Sequence, residues 1–140
     1  MVRVLAKAAV EPRRRFNLSR ATIIPHSPSR IRLATIRLTI PANSRPNRVE
    51  LVATVGVRGV TGIAQIRFRI WRDGMQIFTA QQGVESAGSE RNYTVSFQAI
   101  DRNVRAGTHV YTVTAENRTA GTTAAIVGPV SFSGLAVKTR

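Results

Sequence analysis

The chain has no cysteine at all. A disulfide framework, a zinc–thiolate site and a thiol nucleophile are therefore excluded. Lysine is scarce too, with only Lys7 and Lys138, so the positive charge is almost entirely arginine. Acidic residues are few: 7 against 21 basic ones, for a net charge of +14. Such a field attracts nucleic acid, anionic lipid or acidic polymer, although arginines scattered along a chain also serve solubility alone. No apolar run approaches the ~18 residues of a membrane-spanning helix, so no membrane insertion is expected. The stretch Met1–Val10 is apolar but interrupted by Arg3 and Lys7, which leaves no signal-peptide core of about 7–15 residues.

What is present points to a β-protein. The 140 residues, 43% of them hydrophobic, suit one domain that buries roughly 65–70% of its unfolded surface. Helical periodicity is nearly absent, while Val, Ile, Thr and Gly alternate with period two between turn residues. Phe16 to Ile24 reads as a first strand. Ile31 to Ile40 follows, with a register change at Ala34-Thr35 of the kind a β-bulge makes. Val49, Leu51, Ala53, Val55 and Val57 give the cleanest alternation. Ile66, Phe68 and Ile70 come next, and Asp73-Gly74 marks a tight hairpin, because a type I′ turn needs positive φ. Tyr93 to Ala99, His109 to Ala115 and Ile126 to Val137 complete the series, the last disturbed near Ser133-Gly134. About eight strands at this spacing predict an all-β fold, an antiparallel jelly-roll sandwich.

The N-terminus stands apart in composition. Met1–Val10 is small and apolar, Pro12 interrupts it, and Arg13-Arg14-Arg15 leads onward. The expected organisation is an extended arm with a basic linker over residues 1–15 and a jelly-roll domain over 16–140. An extended segment of this kind satisfies its backbone by pairing with a neighbouring subunit's sheet edge. Deleting it is expected to leave a folded, soluble monomer.

Catalytic chemistry is hard to assemble from these residues. His26 lies between prolines and His109 opens a strand, and neither has a second ligand at metal-site spacing. No nucleophile elbow, metalloprotease helix, phosphate-binding loop or dinucleotide glycine pattern occurs. Asp73 and Asp101 fall in turns, where Asx hydrogen bonds explain them. The Gly56-Val57-Arg58-Gly59 string ends a strand rather than joining two helices, so it is no KH loop. The expectation is a protein that is not an enzyme and uses no cofactor and no metal.

One strand face combines charge with the chain's single tryptophan. Arg67, Arg69 and Trp71 share the side of a strand opposite Ile66, Phe68 and Ile70. They form either a contact surface with cation–π packing or a solvated outer face in which an arginine stem shields the tryptophan.

Several strings resemble a known family. Arg48-Val49-Glu50-Leu51 running into Ala53–Val57, Phe68–Gly74, Tyr93–Ile100, Ala106–Tyr111 and Val127–Gly134 look like the small exosporium proteins of spore-forming Firmicutes. Relatives of these build endospore appendage fibres. The resemblance covers roughly Phe16 to Val137. It implies a jelly roll shaped like tumour-necrosis-factor and C1q domains. It also implies a homopolymer growing head-to-tail, each N-terminal segment docking into the next subunit. Val2, Val4, Leu5 and Val10 would be the inserted side chains, and Pro12, Arg13, Arg14 and Arg15 the linker. The location implied is extracellular, on the spore surface among other spore-surface proteins, reached without a signal peptide. Two features depart from that pattern: the lack of cysteine for cross-linking and the strong positive charge. The rival expectation is a small jelly-roll capsid protein whose arginine-bearing arm contacts nucleic acid.

Overall fold

Period-two alternation becomes two-faced strands in the computed structural model, which describes residues 3–139. Among these residues there are nine strands: β1 (Arg3–Arg13), β2 (Thr22–Ile23), β3 (Ile31–Ile40), β4 (Asn47–Thr61), β5 (Ile63–Arg72), β6 (Met75–Glu85), β7 (Asn92–Arg102), β8 (Gly107–Asn117) and β9 (Thr123–Lys138). One sheet has the order β1-β9-β4-β7 with β2 also on β9, and the other the order β3-β8-β5-β6. All the pairings between named strands are antiparallel. Apart from the β5–β6 hairpin, successive long strands alternate between the sheets, which is the strand order of a jelly roll. Eight long strands plus the two-residue β2 match the expected class.

The inward-facing residues meet between the sheets. Leu51, Val55 and Phe132 from the first sheet and Ile66, Phe68 and Tyr111 from the second are fully buried in one cluster. Phe97 of β7 crosses the interface, its ring 5.3 Å from Phe68 and 5.7 Å from Phe78. A branched or aromatic side chain of this kind contributes roughly 1.5–3 kcal/mol on full burial.

Three sequence expectations are corrected. The segment expected as an extended arm reaching a neighbouring subunit is β1, an edge strand along the chain's own β9, from Arg3 opposite Lys138 to Arg13 opposite Val130. Leu5, Ala6, Ala8 and Val10 pack against the domain's own core, so the sandwich begins at β1 rather than at residue 16. The partner lies at the other end of the chain, where no local pattern reveals it. Phe16 to Ile24 is not a long strand: a 3₁₀ turn at Leu18–Arg20 precedes the short β2. Asn17 caps that turn by accepting from the Ser19 backbone N–H, a local bond that competes with strand pairing.

The third correction is the irregularity of β9, which falls not at Ser133-Gly134 but at Gly128. Val55 pairs with Val130 and Val57 with Ile126, so β9 carries two extra residues there. Gly56 allows it, because a Cβ on that residue would sit 1.8 Å from the Gly128 carbonyl oxygen. Gly134 keeps regular register with Leu51, and the tips of Ile36, Leu38 and Leu51 fill the space its side chain would take. The hairpin at Asp73-Gly74 forms as expected, with both residues at positive φ. The β3 bulge lies between Arg32 and Ala34, one residue before its expected place.

Candidate functional site

The alternation of β5 that buries Ile66, Phe68 and Ile70 turns Arg67, Arg69 and Trp71 to the outer face of the second sheet. Register then brings β8 beside them: Arg67 pairs with Glu116, Arg69 with Thr114 and Trp71 with Thr112. Glu116 is 1% exposed. Arg67 donates to it from Nε and Nη2 at 3.1 Å each. Arg69 Nη2 lies 2.7 Å from Oε1, and the Ser27 hydroxyl donates to Oε2 at 2.5 Å. Burial alone would resist ionisation of Glu116. The hydrogen bonds from Arg67 and Ser27, with the charges of Arg69 and Arg67, outweigh it and hold the carboxyl below its ordinary range.

Trp71 is braced as well. Its indole N–H donates to Thr114 Oγ1 at 2.9 Å. The Arg30 guanidinium stands 4.2 Å from the ring centroid and that of Arg69 5.3 Å. Arg67, Arg69 and Trp71 thus spend much of their bonding capacity on their own sheet. Glu116 is not among the residues that the sequence alone singles out. The available signal was the parity of β8: one residue beyond inward Ala115, Glu116 had to face outward beside the β5 arginines.

Further polar clusters lie at one end of the sandwich. Asp101, expected in a turn, lies instead within β7 opposite Val49, where it accepts from Arg72 on both carboxylate oxygens at 2.6 Å and from the Tyr111 hydroxyl at 2.8 Å, joining the two sheets. Burial, then the bond to Asp101, pushes the Tyr111 phenol far above its usual value. The Arg72–Asp101 bond raises Arg72 in turn. Next to it, the His109 ring lies between Asp73 Oδ2 at 2.6 Å and the Arg105 carbonyl at 2.7 Å. The ring thereby ties the β5–β6 turn to the β7–β8 loop. Asp73 also accepts from the Val110 N–H at 2.8 Å. Desolvation opposes its ionisation, but that bond and His109 prevail and hold it low. Among the described residues there is no group of three or more His, Asp or Glu arranged to hold a metal ion.

The N-terminal candidates separate by environment. Leu5 and Val10 face the core, Val4 is 57% exposed, and Val2 lies outside the described residues. Arg13, expected as part of a linker, is a brace. It donates to the Arg20 carbonyl at 2.7 Å, the Ile126 carbonyl at 3.1 Å and Thr22 Oγ1 at 2.6 Å. Pro12, Arg14 and Arg15 are exposed around it.

No family model matches the chain, and no curated protein matches it. Solved structures of similar shape include Eiger TNF from S. frugiperda, 14% identical over 99% of this chain and 94% of that one, TM-score 0.46. The infectious bursal disease virus Gt strain structure is 10% identical over 99% of this chain and 37% of that one, TM-score 0.46. Dimeric latent PorU from Porphyromonas gingivalis is 12% identical over 96% of this chain, TM-score 0.46; the chain spans 13% of PorU's length. The jelly-roll assignment itself rests on the strand order of the two sheets.

Proposed function

We propose that the protein is a non-enzymatic structural subunit that polymerises by exchanging β1 between copies, as the building block of a spore-surface fibre. The observation that carries this reading is the position of β1. It is the terminal strand, paired on one side only, to β9, and its Leu5, Ala6, Ala8 and Val10 cover the core edge. A strand so placed can leave its own sheet and take the same seat in a neighbour with no new contact to invent. Repetition of that head-to-tail step gives an open filament when the rotation between copies does not close on itself. Edge pairing of β1 from outside is disfavoured by Lys7, by Pro12 and by the register shift between Val4 and Ala6, which are features that guard strand edges. Exchange reuses the inward face instead.

Ala9 and Ser133 face each other across β1 and β9, and the chain has no cysteine of its own. Changing both to cysteine therefore installs one unambiguous disulfide at a cross-strand Cα spacing of about 4.5–5.5 Å. Oxidised before assembly, the double variant should stay monomeric on negative-stain grids. Oxidised after assembly, it should run as a covalent ladder on a non-reducing gel. Filaments from the pre-oxidised monomer would show that β1 does not exchange. Failure of the unaltered protein to form filaments, or shells enclosing RNA in their place, would overturn the fibre reading and favour a capsid subunit.

A further inference from the structure

Pro12, Arg13, Arg14 and Arg15 at the end of β1 and Asn17 and Arg20 of the following turn line one cleft of about 220 Å³. That size lies below the roughly 300–1,000 Å³ of ordinary organic-ligand pockets and suits a small ion. Four guanidinium groups therefore border one small space. Glu11 is the sole acidic residue in the first 49 positions. It approaches Arg14 at 3.4 Å with both side chains more than half exposed, a contact that neutralises little.

The floor of the cleft is built. Arg13 is half-buried and donates three of its five N–H groups, to two carbonyls and a threonine hydroxyl, so it is held in place while no carboxylate among the described residues compensates its charge. Those same bonds tie the end of β1 to Arg20 and Thr22, which holds the two walls together. Asn17 spends its side-chain oxygen on Ser19 N and Oγ, at 3.1 and 2.7 Å, and its amide N–H₂ remains a donor without a partner among the described residues. Arg15 and Arg20 are exposed and carry no carboxylate partner among the described residues.

We propose that this cleft binds a multivalent oxyanion of the phosphate class. Guanidinium forks match phosphate oxygens in pairs, and several clustered cations favour a ligand carrying more than one negative charge over a single carboxylate. Free pyrophosphate and the phosphodiester groups of a nucleic acid share this chemistry.

The test titrates full-length protein with inorganic pyrophosphate by calorimetry, at constant ionic strength, with a single-stranded oligonucleotide as competitor. The cleft variant is Arg15→Gln/Arg20→Gln. The control is Arg32→Gln/Arg37→Gln, which removes the same charge from exposed positions on β3. All four side chains are on the surface, and matching thermal melts without anion verify that the variants fold. The expected result is at least a tenfold loss of pyrophosphate affinity in the cleft variant and no more than a twofold loss in the control. Binding should also raise the melting temperature by mass action. Oligonucleotide competition that disappears in the cleft variant assigns the phosphate to a nucleic acid; absence of competition assigns it to free phosphates. No pyrophosphate binding at millimolar concentration, or equal losses in the two variants, overturns the site.

Discussion

Replacing Glu116 with glutamine keeps the side chain's size and removes its charge. The carboxylate accepts two bonds from Arg67, one from Ser27 and the Arg69 contact at 2.7 Å. The amide keeps one acceptor oxygen and turns an N–H₂ donor toward guanidinium donors. Removing one partner of a buried ion pair costs about 3–5 kcal/mol. The side chains of Arg67 and Arg69 are 27% and 16% exposed, so water recovers part of that, and about 3 kcal/mol is expected. For a domain of this size that is a drop of about 12 °C in Tm, at about 4 °C per kcal/mol. Urea denaturation at pH 7 measures it directly. Because the folded-state pKa of Glu116 is depressed from 4.5, the stabilisation is complete above the unfolded value and fades as pH falls through the folded one. The gap between the two proteins should therefore be constant near neutrality and close only below pH 4.5. Converting Arg67, Arg69 and Glu116 together to methionine should regain much of the loss, since a well-packed apolar substitute avoids the desolvation cost. A loss under about 1 kcal/mol for the glutamine variant, or a gap indifferent to acid, would refute the brace and return Arg67 and Arg69 to the role of free contact residues.

Other outcomes follow from neighbouring features. Gly56→Ala places a Cβ 1.8 Å from the Gly128 carbonyl oxygen. Backbone cannot yield there as a side chain can, so a loss of about 3 kcal/mol or more is expected by thermal melt. Gly74→Ala meets nothing within 4 Å and pays only for φ +84°, so it should cost about 1 kcal/mol and fold normally. The sole tryptophan, Trp71, reports on its own surroundings: Arg30→Ala should shift its fluorescence emission while changing stability by less than about 1 kcal/mol, and an unchanged spectrum would mean the stacking is not held in solution. Asp73→Asn should weaken the tie between the β5–β6 turn and the β7–β8 loop. Because the Asp73 carboxyl is held below 3.8, that difference should be present at neutral pH and vanish in acid, as read from hydrogen exchange of the Val110 amide.

The sequence alone determined the two-faced strands. The alternation from Val49 to Val57, and from Ile66 to Ile70, allows one face only to be buried, and Asp73-Gly74 allows one kind of turn. These are local consequences of pleat and backbone sterics, and they specify an all-β sandwich before any partner is known. Tertiary structure decided what the strands meet. Arg3–Arg13 reads as an apolar tail until β9, more than a hundred residues away, supplies its edge. Glu116 reads as a surface carboxylate until β5 lays two arginines over it. Arg13 reads as part of a linker until the carbonyls of Arg20 and Ile126 close on its guanidinium. Side-chain direction follows from the nearest residues, whereas pairing, charge compensation and the walls of a cleft depend on segments brought together only by the closed sandwich.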